Sequence, residues 1–136
     1  MARPTNALII DDEPHARAFV RLVLKEAGVS TTWEAGDGAE ALTLFHQHHP
    51  ALVLLDINLR VMNGLQVLQQ LLAEDADLPV IMVSSENAMK TVHEALRLGA
   101  VDYILKHNSK DQMLAALRET LDELEDEPDD GEPPAA

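Results

Sequence analysis

Three aspartates, a serine hydroxyl and a lysine stand at the ends of short apolar runs in this chain. Leu52-Val53-Leu54-Leu55 leads into Asp56, Ala7-Leu8-Ile9-Ile10 into Asp11-Asp12, Val80-Ile81-Met82-Val83 into Ser84-Ser85, and Val101 to Leu105 into Lys106. Ligands of an open parallel α/β sheet bind beyond the carboxyl ends of its strands. If these runs are strands, they deliver the reactive groups to one edge. A carboxylate there can attack phosphorus and form an acyl phosphate, splitting one hard transfer into two easier ones. Clustered carboxylates repel one another and hold protons, whereas Mg²⁺, which prefers hard oxygen ligands, favours their ionised forms. On this reading Asp56 is the nucleophile, Asp11 and Asp12 hold the metal directly or through water, and the backbone carbonyl of Asn58 adds an oxygen. Lys106 brings a point charge to the phosphoryl oxygens, and Ser84, preferred to Ser85 because it follows the run directly, donates a hydrogen bond to one of them.

The elements that must position these groups follow from hydrophobic period and punctuation. Runs of four apolar residues bounded by polar or breaking residues suit strands buried on both faces. Between them lie helical patterns: one opened by Glu13-Pro14 and stopped by Gly28, one capped by Asp37 and ended before Pro50, and one from Gly64 until Asp77-Leu78-Pro79. A fourth runs from Asn87 to Leu98, and a fifth is opened by the Ser109/Gln112 capping box and runs to about Leu124. Val29 to Ala35, with two threonines and Trp33, reads as an edge strand. Five strands alternating with five helices predict a parallel sheet with right-handed crossovers and helices on both faces, a three-layer α/β sandwich. Eight βα units, as in a barrel, would need about 250 residues.

The 136 residues form one domain over 1–124, followed over 125–136 by an acidic, Pro- and Gly-containing segment expected to be a disordered tail or a linker. The net charge of −14 is uneven: residues 1–118 carry 15 acidic and 10 basic side chains, and residues 119–136 carry nine acidic and no basic ones. Neither part has the basic stripe that phosphate backbones require, so direct nucleic-acid binding is not expected. With no cysteine, no membrane-length apolar run and no leader pattern, the expectation is a soluble cytoplasmic protein. His46, His48 and His49 read as a surface helix end without nearby acid partners. Leu114 and Leu117 read as core, while Leu121 and Leu124 are open to core packing or to a partner contact.

Asp11-Asp12, Asp56, Ser84, Tyr103 and Lys106 together resemble the receiver domain of two-component response regulators, over about residues 6 to 124. The resemblance implies a flavodoxin-like fold with strand order 2-1-3-4-5 and a Mg²⁺-dependent transfer from a phosphohistidine on a sensor histidine kinase or phosphotransfer protein to Asp56. It further implies a switch: Ser84 moves toward the phosphoryl group, Tyr103 turns inward, and the face formed by the fourth helix, fifth strand and fifth helix changes its affinity for an output partner. Asn58 and Glu86 match positions that tune phosphoryl lifetime, and the same pair occurs in chemotaxis-type receivers with short-lived signals. A signalling module rather than an enzyme is implied, as a monomer or weak dimer. Aspartyl-nucleophile phosphatases of the haloacid dehalogenase type instead want an acid where this chain has Asn58. The chain departs from the receiver pattern in carrying Arg60 and His107 where prolines are usual, so the 106–107 peptide is either trans or held cis at a cost of ~2.5–4 kcal/mol.

Overall fold

The computed structural model describes residues 1–127. Five strands and five helices alternate: β1 Asn6–Ile10, α1 Pro14–Glu26, β2 Thr31–Ala35, α2 Gly38–His48, β3 Val53–Leu55, α3 Gly64–Glu74, β4 Val80–Ser84, α4 Met89–Arg97, β5 Asp102–Leu105 and α5 Lys110–Asp126. The strands form one parallel sheet in the order β2-β1-β3-β4-β5. This is the three-layer, flavodoxin-like arrangement expected from the sequence.

Side chains of a strand alternate between its faces, and the core divides accordingly. Ala7, Ile9, Leu54, Ile81, Val83 and Ile104 pack with α1 and α5, while Leu8, Ile10, Val53, Leu55, Val80 and Met82 pack with α2, α3 and α4. By the same alternation Ser84, the last residue of β4, faces the α4 side, while Asp11, Asp56 and Lys106, each one residue past its strand, face the α1/α5 side.

Local signals work as the residues dictate. Pro14 opens α1, the Asp37 side chain accepts from the Glu40 N–H at 2.8 Å, and Ser109 and Gln112 close a reciprocal capping box. A second such box, Asn63 with Gln66, opens α3. Gly28 and Gly99 terminate α1 and α4 at φ +95° and +115°.

Several expectations need correction. β2 starts at Thr31 rather than Val29, because the Val29 N–H is taken by the Leu24 carbonyl in the helix-terminating turn. β3 is only Val53–Leu55, α4 is shorter than Asn87–Leu98, and β5 begins at Asp102. α5 continues past Leu124 to Asp126, where Arg3 pairs with Asp122 and Glu125 and the Met1 amino group meets the Glu127 carbonyl. The remainder of the expected tail, 128–136, lies outside the described residues. Leu121 and Leu124 are buried beside Leu117 in the α1/α5 core, which leaves no partner contact for them. His46 does have an acid partner, with Nε2 2.7 Å from Glu74 Oε2 across α2 and α3, and His48 stacks on Trp33. There is no cis peptide among the described residues, so the 106–107 bond is trans. No helix among them is long and apolar enough to cross a membrane.

Candidate metal and phosphoryl site

The register of the central strands builds the site. Ile10 pairs with Leu55, so Asp11 and Asp56 emerge side by side, and the Asp56 N–H donates to the Ile10 carbonyl at 3.0 Å. Ser84 pairs with Leu105, and the Lys106 N–H donates to the Ser84 carbonyl at 2.9 Å. Lys106 thus leaves the sheet across the β3 end from Asp11. Its Nζ lies 2.7 Å from Asp56 Oδ2 and 2.8 Å from Asp11 Oδ2, with Glu13 Oε1 at 3.7 Å.

Asp11, Asp12 and Asp56 each offer an oxygen within 4.8 Å of the others. Asp11 and Asp56 are each only 2 % exposed and Asp12 is partly exposed, so this is a largely buried set of hard oxygen donors that opens to solvent at Asp12. That donor set fits a divalent cation of the Mg²⁺ type. The remaining valences are fixed by backbone: Asp11 Oδ1 accepts from the Glu13 N–H at 2.9 Å, and Asp56 Oδ1 from the Asn58 N–H at 3.2 Å. Gly64 closes the site from behind, its N–H donating to the Ile57 carbonyl at 2.7 Å.

Ser84 is fully buried, and its Oγ accepts from the Glu86 N–H at 3.2 Å. The Tyr103 phenol is half-buried and donates to the Glu86 carbonyl at 2.6 Å. Glu86 itself accepts through Oε1 from the Ala88 N–H at 3.0 Å. Ser84, Glu86 and Tyr103 therefore form one small group on the α4 side of the carboxylates.

Burial and charge pull against each other here. Burial pushes the Asp11 carboxyl up, and the hydrogen bonds from Lys106 and the Glu13 N–H only partly offset it. For Lys106, burial alone would lower the ammonium, but Asp11 and Asp56 outweigh it and the net direction is up. Burial likewise raises the Tyr103 phenol, against the opposing effect of the Ser84 hydroxyl. Because Asp11 holds its proton to higher pH in the folded chain than in the unfolded one, its contribution to stability is fully present below the ordinary carboxylate range. That contribution is lost as the pH rises through its raised value. Asp11→Asn is therefore expected to be more stable than the parent at neutral pH in EDTA, with the difference shrinking as the pH falls through the carboxylate range. Urea midpoints at two pH values read this out; a less stable variant at neutral pH would contradict it.

Sequence reasoning missed two contributors. Arg17 Nη1 donates to the Asp11 carbonyl at 2.6 Å while its Nε meets Glu34 Oε1 at 3.2 Å, tying the acidic turn to the edge strand. Helical side chains lean toward the N-terminus, so an arginine one turn into α1 was a usable signal. The role of Gly64 depends on how closely α3 approaches β3, and no local pattern shows that. A cavity of about 260 Å³ opens beside Lys106 between α1 and α5, lined by Glu13, His15, Ala16, Phe19, Val20 and Met113.

Residues 7–118 match the family described as the response regulator receiver domain. The chain is 33 % identical over 114 residues to the chemotaxis protein CheY of Bacillus subtilis, covering 84 % of this chain and 95 % of that one. It is 36 % identical over 121 residues to the DNA-binding response regulator MtrA of Mycolicibacterium smegmatis, covering 89 % of this chain and spanning about half (52 %) of that protein's length. Among solved structures, a CheX–CheY–BeF₃–Mg²⁺ complex from Borrelia burgdorferi matches at a TM-score of 0.79 and 27 % identity, over 85 % of this chain and 88 % of that one.

Proposed function

This chain belongs to the response regulator receiver family, and from that membership we propose that it accepts a phosphoryl group on Asp56 from a sensor histidine kinase or phosphotransfer protein and so switches its affinity for an output partner. The observation that most supports this reading is the bridging of Asp11 and Asp56 by Lys106 within a trio of carboxylates. A structural ion pair would need only one acid. Asp11, Asp12, Asp56 and the Asn58 carbonyl would hold Mg²⁺, which when bound supplies positive charge for the transferring phosphoryl oxygens.

In the transfer, an Asp56 carboxylate oxygen attacks phosphorus and forms a P–O bond. The P–N bond to the donor imidazole breaks, and its electron pair returns to the ring nitrogen, which takes up a proton. Lys106 moves its charge from the free carboxylate to the phosphoryl oxygens, and the Ser84 hydroxyl turns to donate to one of them. Because Ser84 and Tyr103 meet at Glu86, a shift of Ser84 changes what the phenol packs against. Asn58 and Glu86 set how long the phosphoryl group lasts, and the pair suits a brief signal.

The face of α4, β5 and α5 carries the output. Met89, Leu96 and Val101 are exposed apolar residues on α4 or at the entry to β5, which suits docking of a protein partner. On this account the chain is a cytoplasmic signalling module, a monomer or weak dimer, and not an enzyme that turns over a separate substrate. Incubation with phosphoramidate, a small P–N donor, is expected to label the protein in Mg²⁺ and not in EDTA. Labelling that ignores the metal would overturn the mechanism.

A further inference from the structure

Arg60 sits in the loop between β3 and α3, next to Val61, whose backbone conformation few side chains accept. The Met62 N–H donates to the Arg60 carbonyl at 2.7 Å, closing a three-residue turn whose central residue, Val61, has φ +68°. A β-branched residue at positive φ is a strained outlier, and Val61 is fully exposed, so nothing it packs against explains the strain. Strain of this kind gathers at functional sites. What the turn holds at the mouth of the acidic cluster is a guanidinium: Arg60 Nε is 4.0 Å from Asp12 Oδ2, with the arginine side chain 79 % exposed. Lys106 meets Asp11 and Asp56 from the β5 side, and Arg60 meets Asp12 from the β3 side.

We propose that Arg60 is a positioning counter-ion that changes partners, pairing with Asp12 in the metal-free protein and with the phosphoryl group on Asp56 once Asp12 is given over to a cation. The inference rests on the receiver reading above. Its geometry is simple: Asp12 and Asp56 oxygens lie within 4.8 Å of each other, so a long, exposed side chain already at Asp12 reaches the neighbouring group by rotation about its own bonds. A planar guanidinium matches phosphate oxygens better than a point charge does. Two effects of opposite sign follow. In the free protein Arg60 competes with the metal for Asp12, and in the phosphorylated protein it neutralises part of the charge that Lys106 and the metal leave.

Amide-shift titrations of the full chain with Mg²⁺ alone, and then with beryllofluoride in saturating Mg²⁺, test this. Arg60→Ala is expected to bind Mg²⁺ about two- to fivefold more tightly than the parent, the range for an exposed ion pair. The same variant is expected to bind beryllofluoride more weakly by a similar factor, and Arg60→Lys to lie between the two in both titrations. A loop that merely needs arginine for its shape would lower both affinities together. That result, or no change in either affinity, overturns the proposal while leaving the receiver reading intact. A parent protein that binds neither probe overturns both.

Discussion

Asp56→Asn is expected to lose all labelling by acetyl phosphate in Mg²⁺ while keeping the fold and at least the stability of the parent. An amide nitrogen offers no anionic nucleophile, so the P–O bond does not form. The fold tolerates the change because asparagine is nearly isosteric and its side-chain oxygen can still accept from the Asn58 N–H. Lys106 loses the 2.7 Å contact to Asp56 but keeps Asp11 at 2.8 Å, so no buried cation is stranded. Removing one of three carboxylates that lie within 4.8 Å of one another also relieves repulsion in the metal-free protein. Mass mapping after labelling, paired with urea unfolding in EDTA, separates the two halves of this prediction. Label retained at another residue would place the chemistry elsewhere.

The second large effect concerns a residue with no reactive group. A Cβ added at Gly64 would lie 2.0 Å from the Asp56 carbonyl oxygen and 2.7 Å from Ile57 Cα. Both are backbone atoms, so no rotamer change relieves the clash, and either α3 must lift off the end of β3 or the Asp56 peptide must move. Gly64→Ala is expected to cost about 3 kcal/mol, the upper end of the usual range for overpacking, because the contact is with backbone. Surviving protein should also show weaker Mg²⁺ binding, because the displaced peptide carries a proposed metal ligand. Gly36→Ala is the control: its Cβ would meet only Arg17 Nη1, at an ordinary 3.6 Å, and the expected change is within about 1 kcal/mol. Urea midpoints compare the two, and equal stabilities would contradict the packing argument.

How legible the site was depends on the range of each interaction. The strand ends could be read because Leu8–Ile10, Val53–Leu55 and Val80–Val83 are buried on both faces, which leaves apolar runs that stop where a polar group begins. Helix starts at Pro14, Asp37 and Ser109 were visible for the same reason: a cap is a local hydrogen bond or a fixed φ. The sequence did not disclose contacts made across the fold. The His46–Glu74 pair spans 28 residues, and the Arg17 bond to the Asp11 carbonyl depends on where a helix leans. The burial of Leu124 depends on where α5 lies against α1, which spacing alone leaves open. Arg60 was noticeable as a departure from a family pattern, yet its partner Asp12 became visible only with the turn at Val61 in place.

The most direct measurement is an amide spectrum of the chain with Mg²⁺, before and after beryllofluoride. Shifts are expected at Asp11, Asp12, Asp56 and Lys106, where the ligand would sit, and in a second set at Glu86, Tyr103 and α4, reached through Ser84. A spectrum unchanged by beryllofluoride, or one whose shifts stay away from the acidic trio, would mean that these residues meet in the fold without forming a phosphoryl site.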